Sequence, residues 1–246
     1  MTAIVLAAGV GKRLLAVSDG RPKCLIEIGG RSLLVRLLAG LARAGVGDAV
    51  VVTGFGAEAV AEAVAATPAP DIRVRCVVNP RYTEGAILSL WTAREVLRAG
   101  PVLVMDADVL CAQTMLERLV RSRHPNCFLL DGSVASTGEE QMLLVRDDRV
   151  RGIVRGGAPG WELQGESVGF LKLSAPAAAL LEALLAARVA AGHTGIEHEE
   201  VYPDLLARVD VGFERVDGLP WTEIDFPEDV VRAEREILPR LGGAAP

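Results

Sequence analysis

An apolar strand that runs straight into a basic, glycine-containing loop is the feature that most constrains the fold of this chain. Residues 2–8 read TAIVLAA, and Gly9-Val10-Gly11-Lys12-Arg13 follows without a break. Lys23 lies ten residues after Arg13, in the segment Pro22-Lys23-Cys24-Leu25. Glycines at the end of a buried strand let a phosphate lie against backbone N–H groups, and Arg13 and Lys23 add two cations that could reach the same phosphates. The pattern predicts a site for a nucleoside triphosphate.

Two better-known phosphate motifs do not fit this loop. A P-loop requires a glycine five residues before its Gly-Lys pair and a Ser or Thr after it, but Leu6 and Arg13 occupy those positions. The dinucleotide fingerprint requires a third glycine three residues after the second, where this chain has Leu14. A plain glycine turn between a strand and a helix, with its basic residues in solvent, is the simpler alternative.

Strand-like and helix-like segments alternate through the first half of the chain. Ser32 is placed to cap a helix that ends at Gly45, and its apolar residues recur at helical spacing: Leu33, Leu34, Leu37, Leu38 and Leu41. The remaining segments are predicted as strands at 48–53, 72–78 and 101–106 and as helices at 57–66 and from Ser89 to Leu97. This alternation indicates parallel strands with helices on both faces. Because ligands bind beyond the carboxyl ends of such strands, the Gly9 loop and the acids after residue 105 are expected to share one crevice.

The second half of the chain is less regular. Four segments are predicted as strands of a smaller, partly antiparallel layer: 126–131, 141–146, 149–155 and 167–173. An alanine-rich helix is expected at 175–191, and Pro227 opens a last helix that should end before Pro239. Residues 241–246 are expected to fray. With no low-complexity linker in the sequence, residues 1–246 are predicted to form one α/β domain.

Acidic residues follow two of the predicted strands. Asp106 and Asp108 flank Ala107, and Asp225 follows Trp221-Thr222-Glu223-Ile224. Two carboxylates so close repel each other unless a cation or hydrogen-bond donors lie between them, and Mg²⁺ binds one or two carboxylates together with phosphate oxygens. Four alternatives stay open: Asp106 could cap a loop or hold Lys23, Asp108 could be a turn residue only, Asp225 could be a helix N-cap, and Asp229 could be a ligand instead.

Composition excludes several classes of function. The net charge of −6 argues against a nucleic-acid surface, which usually carries a basic patch. The four cysteines have no C-x-x-C spacing, which favours free thiols in a reducing compartment. The first apolar run is too short for a membrane span and has no basic segment before it, so a cytoplasmic protein without a membrane partner is expected.

These motifs together resemble the nucleotidyltransferase superfamily that joins a nucleoside triphosphate to a small phosphate compound and releases pyrophosphate. Within it, the chain is most similar to the bacterial phosphocholine cytidylyltransferases and their phosphonate-activating relatives. The similarity rests on LAAGxGxRL with PKxL and on the following segments: Asn79-Pro80-Arg81-Tyr82, Ser89-Leu90-Trp91, Met105-Asp106-Ala107-Asp108, Gly165-Glu166-Ser167-Val168-Gly169-Phe170, Glu223-Ile224-Asp225 and Glu228-Asp229. One departure is the stretch from Thr83 to Leu88, which lacks the paired asparagines that phosphocholine enzymes carry before the serine matching Ser89.

The resemblance implies a three-layer, Rossmann-like fold with a mostly parallel sheet and a small antiparallel layer on the acceptor side. It implies that Asp108 and Asp225 hold Mg²⁺, that Arg13 binds the β- and γ-phosphates of CTP, and that Lys23 lies between the α-phosphate and the acceptor oxygen. The other nucleotide-binding residues it implies are Leu6, Ala7, Ala8, Gly9, Gly11, Gly85, Ser89 and Asp106.

The acceptor, a small phosphate or phosphonate compound, is assigned to Glu166 and Trp221. Solvated acidic surface is the default for Glu139, Glu140 and Glu197 to Glu200, and His124, His193 and His198 are expected in surface or capping positions. A homodimer is compatible with this interpretation. Two rival functions remain open: a sugar 1-phosphate nucleotidyltransferase that uses another triphosphate, and a nucleotide-binding regulator without catalysis.

Overall fold

The computed structural model describes residues 1–15, 17–66, 71–134 and 136–241. Strands and helices alternate in the first half, as expected, and strands dominate the middle. The strands of the described residues are β1 (Thr2–Ala7), β2 (Glu27–Ile28), β3 (Arg31–Ser32), β4 (Asp48–Thr53), β5 (Arg73–Val78), β6 (Val102–Asp106), β7 (Val109–Cys111), β8 (Cys127–Asp131), β9 (Gln141–Arg146), β10 (Arg149–Arg155), β11 (Leu163–Leu173), β12 (Gly212–Arg215) and β13 (Trp221–Glu223).

The helices pack on both faces of the sheet that these strands form. They are α1 (Leu33–Arg43), α2 (Ala57–Ala66), α3 (Ala86–Thr92), α4 (Arg94–Ala99), α5 (Gln113–Arg121), α6 (Ala175–Ala190), α7 (Tyr202–Leu206) and α8 (Pro227–Arg232). The Ser32 hydroxyl oxygen accepts a hydrogen bond from Val35 N at 3.3 Å, which confirms the predicted cap of α1.

Two helix predictions differ from the structure. The helix expected from Ser89 to Leu97 is two helices that meet at Ala93. There Thr92 Oγ1 donates to Leu88 O at 2.8 Å, a contact that bends helices. Helical backbone also continues past Pro239, because a 3₁₀ turn (Leu238–Leu241) begins just before it and proline is tolerated in a first turn. All but the first residue of the tail expected to fray lies outside the described residues.

Within the described ranges, nine strands form the central sheet in the order β10-β9-β11-β6-β1-β4-β5, with β8 paired to β11 and β12 paired to β8. The strands β6, β1, β4 and β5 are parallel. On the other side, β11 runs antiparallel to β6, β8 and β9. The antiparallel strands of the second half therefore extend the parallel sheet. Two short antiparallel sheets, β7 with β13 and β2 with β3, lie apart from it.

Alternate residues of β1 enter two separate hydrophobic cores. Ala3, Val5 and Ala7 pack into the core shared with α1, α2 and α5, whereas Ile4 packs into the core shared with α3, α4, α6 and α7. This alternation follows from the two-residue repeat of a strand. It gives the helix–sheet–helix layering predicted from the sequence, and the mixed α/β fold with a largely parallel sheet is confirmed.

A third, smaller core joins the N-terminal loops to the C-terminal segment. It contains Leu14, Ile26, Leu110 and Ile224, together with Ile28, Leu33, Ala233 and Ile237. Each of the first four lies within three residues of Arg13, Lys23, Asp108 or Asp225 in the sequence. Burial of these side chains therefore holds loops that are far apart in the chain against one another.

Among the described residues, no helix has both the length and the apolar character that crossing a membrane requires.

Candidate active site

A cleft of about 900 Å³ opens beyond the carboxyl ends of β1 and β6. Its lining includes the first glycine loop, the end of β6, the middle of β11, the turn at residues 197–199 and the segment after β13. Eleven acidic and four basic side chains are among the described residues that line it. Because the acids outnumber the bases so clearly, any anionic ligand in this cleft needs accompanying cations.

Three carboxylates converge at one end of the cleft. Oxygens of Asp108, Glu223 and Asp225 lie within 4.8 Å of one another. The antiparallel pairing of β7 with β13 brings them together, because it sets Val109 opposite Glu223 and lets Ile224 N donate to Asp108 O at 3.1 Å. Partial burial in the cleft, and then the charges of Asp108 and Asp225, raise the pKa of Glu223 to about 9.

Lys23 neutralises part of this charge. Its Nζ donates to Asp108 Oδ2 at 2.5 Å and to Asp225 Oδ1 at 2.7 Å. Burial alone would lower the pKa of Lys23, but the two carboxylates outweigh it and raise the pKa above its ordinary value. The open alternative that Asp106 holds Lys23 is not what the structure shows, because Asp108 occupies that position.

The loop that carries Lys23 approaches the glycine loop closely. Gly11 has φ +60°, and a Cβ placed on it would lie 3.0 Å from Lys23 Cβ. A side chain at residue 11 would therefore be strained in its backbone and would crowd the stem of Lys23. Gly11 is the residue that lets both loops reach the acidic cluster together.

Asp229 fixes the backbone on the other side of this cluster. Its Oδ2 accepts hydrogen bonds from Asp225 N at 2.9 Å and from Phe226 N at 2.8 Å. Asp229 Oδ2 therefore caps the backbone at the start of α8, whereas the side chain of Asp225 contacts Lys23. The alternatives in which Asp225 caps the helix and Asp229 serves as the metal ligand do not match these contacts.

The acidic cluster fits a divalent cation. Asp108 Oδ1 is buried and has no hydrogen-bond partner among the described residues, which is costly for a carboxylate oxygen unless a ligand satisfies it. Three carboxylates with an unsatisfied oxygen suit the hard, oxygen-preferring ions Mg²⁺ and Mn²⁺.

A second cluster lies beside the first. Ligand atoms of Asp106, His198 and Glu199 lie within 4.8 Å of one another, with His198 Nδ1 4.0 Å from Glu199 Oε2. Burial, and then the charges of Glu199, Asp108 and Glu223, raise the pKa of Asp106 well above its ordinary value. The turn after β6 thus places Asp106 and Asp108 in different clusters.

The predicted nucleotide-binding residues divide into two groups. Those that line the cleft are Leu6, Ala7, Gly9, Gly11, Lys23, Ser89 and Asp106. The Ser89 oxygen accepts a hydrogen bond from Asn79 Nδ2 at 3.1 Å, so its own hydrogen stays available to a ligand.

Ala8, Arg13 and Gly85 lie just outside the lining. Ala8 O accepts from Phe55 N, and the guanidinium of Arg13 stacks on the ring of Phe226 at 4.6 Å. A Cβ on Gly85 would meet Thr194 O at 2.3 Å, so this glycine packs against the backbone behind the cleft, and its neighbour Ala86 lines the cavity instead.

The two residues predicted for the acceptor both line the cleft. Trp221 is buried, and its Nε1 donates to Asp131 Oδ2 at 2.8 Å, so its polar edge is already satisfied. Glu166 lies on β11 opposite Asp131. Burial, and then the charges of Glu140 and Asp131, raise the pKa of Glu166 to about 7.

The sequence interpretation missed the turn at residues 197–199. The prediction of a surface or capping position for His198 is wrong, since its side chain is only 7 % exposed and its Nδ1 finds no hydrogen-bond partner among the residues described. Glu199 was assigned to a solvated face, yet it lines the cleft. The only local signal was the density of acids around one histidine, which cannot be told from an exposed turn without the fold.

Comparison with known proteins identifies the family to which this chain belongs. Residues 3–188 match the MobA-like NTP transferase domain. A CMP-5'-(3-aminopropyl)phosphonate synthase from Streptomyces rubellomurinus is 40 % identical over 48 % of this chain and 18 % of its own length. A bifunctional IPC transferase and DIPP synthase from Rubrobacter xylanophilus is 32 % identical over 96 % of this chain and 52 % of its own. The chain therefore spans about half, or less, of the length of these relatives.

A 2-aminoethylphosphonate cytidylyltransferase from Lancefieldella rimae is 27 % identical over 91 % of this chain and 87 % of its own length. Two solved structures share the fold. The CTP:phosphocholine cytidylyltransferase from Streptococcus pneumoniae has a TM-score of 0.79 at 22 % identity and covers 95 % of this chain and 97 % of its own. The inositol-1-phosphate CTP transferase from T. maritima has a TM-score of 0.80 at 20 % identity, and the match covers 100 % of this chain and 97 % of the other. At these identities the structures support the fold alone.

Proposed function

The chain belongs to the MobA-like NTP transferase family and is a nucleotidyltransferase, and from that premise we propose that it transfers CMP from CTP to a small phosphomonoester or phosphonate, with release of pyrophosphate. The observation that carries the proposal is the contact of Lys23 with both Asp108 and Asp225. The triphosphate and the acceptor are both anions, so a site that aligns them requires a cation between them. Lys23, held by two carboxylates beside the glycine loop, is placed to be that cation.

Asp108 and Asp225, with Glu223 beside them, would hold Mg²⁺. The buried, unpartnered Asp108 Oδ1 supports this assignment. When bound, the ion supplies neutralisation of phosphate charge and orientation of the leaving pyrophosphate.

The triphosphate would lie along the glycine loop. The backbone N–H groups of Gly9 and Gly11 suit phosphate oxygens, and Arg13 is one side chain away from the cleft, on the ring of Phe226. Ser89 would donate its free hydrogen to the base. Preference for CTP itself rests on the relatives, whose names specify CMP or cytidylyl transfer.

The acceptor needs no general base. A phosphate or phosphonate oxygen is already anionic at neutral pH, so the remaining requirement is a cation between it and the α-phosphate. Lys23 would supply that cation once the divalent ion takes over Asp108 and Asp225. Glu166 and Trp221 would form the far wall of the acceptor site.

The direct test measures pyrophosphate release with CTP, UTP, GTP and dTTP, each with Mg²⁺ and a panel of acceptors. We expect release with CTP and a phosphonate or phosphomonoester, and loss of that release in Asp225→Asn. Activity with another triphosphate and a sugar 1-phosphate would identify the rival enzyme. Tight nucleotide binding without release, for every acceptor, would identify a regulator and contradict the proposal.

A further inference from the structure

We propose that the acceptor carries a primary ammonium group and that Asp106, His198 and Glu199 bind it. This inference rests on the proposed function and narrows its acceptor from any small phosphate compound to an aminoalkyl phosphate or phosphonate. The sequence analysis assigned Asp106 to the nucleotide; this proposal assigns it to the acceptor instead.

The buried imidazole is the observation that points to a ligand. The His198 side chain is 7 % exposed, and its Nδ1 has no hydrogen-bond partner in the part of the chain that the structure describes. The cluster lines the cleft. An imidazole nitrogen and two carboxylates can provide three acceptors. An ammonium group has three N–H donors on one nitrogen and would satisfy all of them at once.

The spacing of the cluster accommodates an ammonium group. Three acceptors around an ammonium nitrogen, each about 2.8 Å from it, lie about 4.6 Å apart in a tetrahedral arrangement. Ligands about 2.1 Å from a metal would lie only about 3.4 Å apart. The observed separation of 4.0 Å between His198 Nδ1 and Glu199 Oε2 lies midway between the two values. An ammonium group therefore fits the cluster as well as a metal ion does, and the Mn²⁺ measurement below distinguishes the two.

The charge of the cleft favours the same ligand. Lys23 contacts Asp108 and Asp225 and is assigned to the two phosphates once an ion displaces it. No ion pair between Asp106 or Glu199 and a Lys or Arg occurs in the described part of the chain. A cationic acceptor would bring the missing counter-ion. Consecutive Cα atoms are 3.8 Å apart, so the Cα atoms of Asp106 and Asp108 lie within about 7.6 Å of each other, and the two clusters are neighbours in the cleft.

A quaternary ammonium fits this site poorly. Such groups have no N–H to donate and are bound by aromatic cages. Among the described residues that line the cleft, the aromatic side chains that could form such a cage are those of Trp221 and Phe226. The first is buried with its indole N–H on Asp131, and the second carries Arg13 on its face.

The test compares three acceptors in CTP- and Mg²⁺-dependent pyrophosphate release: 2-aminoethylphosphonate, 2-hydroxyethylphosphonate and phosphocholine. We expect the highest kcat/KM for the amine. Glu199→Gln should lower kcat/KM for the amine about ten- to a hundredfold, which is the range for loss of a hydrogen bond to a charged group. For the hydroxyl analogue, the same variant should lower kcat/KM less than about threefold. The control is Glu200→Gln, an exposed acid one residue away, which should change neither value.

The outcomes separate the two claims. Absence of pyrophosphate release with every acceptor contradicts the proposed function itself. Release that favours the hydroxyl or trimethylammonium compound, or equal losses for both phosphonates in Glu199→Gln, leaves that function standing and overturns the ammonium site. Bound Mn²⁺ that is lost in Glu199→Gln and kept in Asp225→Asn would mark a metal site and overturn it as well.

Discussion

Lys23 and a divalent ion compete for the same two carboxylates, and this competition makes a measurable prediction. In the structure the ammonium group of Lys23 contacts Asp108 at 2.5 Å and Asp225 at 2.7 Å. An ion that binds these acids must displace it. Lys23→Met keeps an apolar stem of similar length but removes the charge, so the variant should bind Mn²⁺ more tightly than the wild type in the absence of nucleotide, while losing turnover.

The size of the effect follows from the exposure of each partner. A hydrogen bond to a charged group contributes about 1.5–3 kcal/mol. The contact with Asp108 joins side chains that are 18 % and 17 % exposed, so we take its contribution as about 2–3 kcal/mol. The Asp225 side chain is 42 % exposed, and solvent screening limits its contribution to about 1 kcal/mol.

Displacement of Lys23 therefore costs a bound ion about 3–4 kcal/mol in the wild type. Because each 1.4 kcal/mol is a factor of ten, Lys23→Met should bind Mn²⁺ about 100-fold or more tightly than the wild type. Without the ion, the variant should unfold more readily, because Asp108 and Asp225 are left without their counter-ion.

The assay is a Mn²⁺ titration followed by electron paramagnetic resonance or calorimetry, with thermal unfolding measured in parallel. Lys12→Met is the matched control, since Lys12 is exposed and should leave Mn²⁺ affinity unchanged. Equal or weaker Mn²⁺ binding by Lys23→Met would refute the reasoning. So would tight binding that survives Asp225→Asn in the Lys23→Met background.

Local patterns in the sequence were enough to predict the parallel half of the fold. The apolar runs of β1, β4 and β6 and the Ser32 cap are short-range signals, and all were confirmed. The break at Ala93 was not predicted, because it depends on the rotamer through which Thr92 bonds to Leu88 O. Sequence periodicity contains no information on that choice.

The site was predicted in part, for a related reason. Asp108 and Asp225 each follow a visible strand, so an acidic site could be expected, and the two do meet. Their meeting depends on the short β7–β13 ladder and on burial of residues such as Ile224 in the third core, which are contacts between distant parts of the chain. His198 is buried for the same kind of reason, since the ring of Tyr202 packs against it at 5.6 Å.

Three further changes extend these arguments. Ile224→Ala should lower the free energy of unfolding by about 2–5 kcal/mol, because Ile224 is fully buried in the third core; a loss below about 1 kcal/mol in urea denaturation would count against that role. Burial raises the pKa of Glu166 from 4.5 to about 7, so the folded protein binds this proton more tightly than the unfolded chain, and the resulting stabilisation is lost as the pH rises from about 4.5 to 7. Glu166→Gln should flatten that part of the stability curve, and an unchanged curve would exclude the shift. Gly169→Ala tests the position of Asp106, because a Cβ on Gly169 would lie 2.5 Å from Asp106 Oδ2 and must push that carboxylate aside. Gly169 also has φ +77°, so the control is Gly160→Ala, at φ +84° with nothing within 4 Å of the added Cβ, where only backbone strain is introduced. We expect KM for an ammonium acceptor to rise about tenfold, the range for one weakened hydrogen bond to a charge, in Gly169→Ala alone. Equal KM values in the two variants would show that Asp106 does not contact the acceptor.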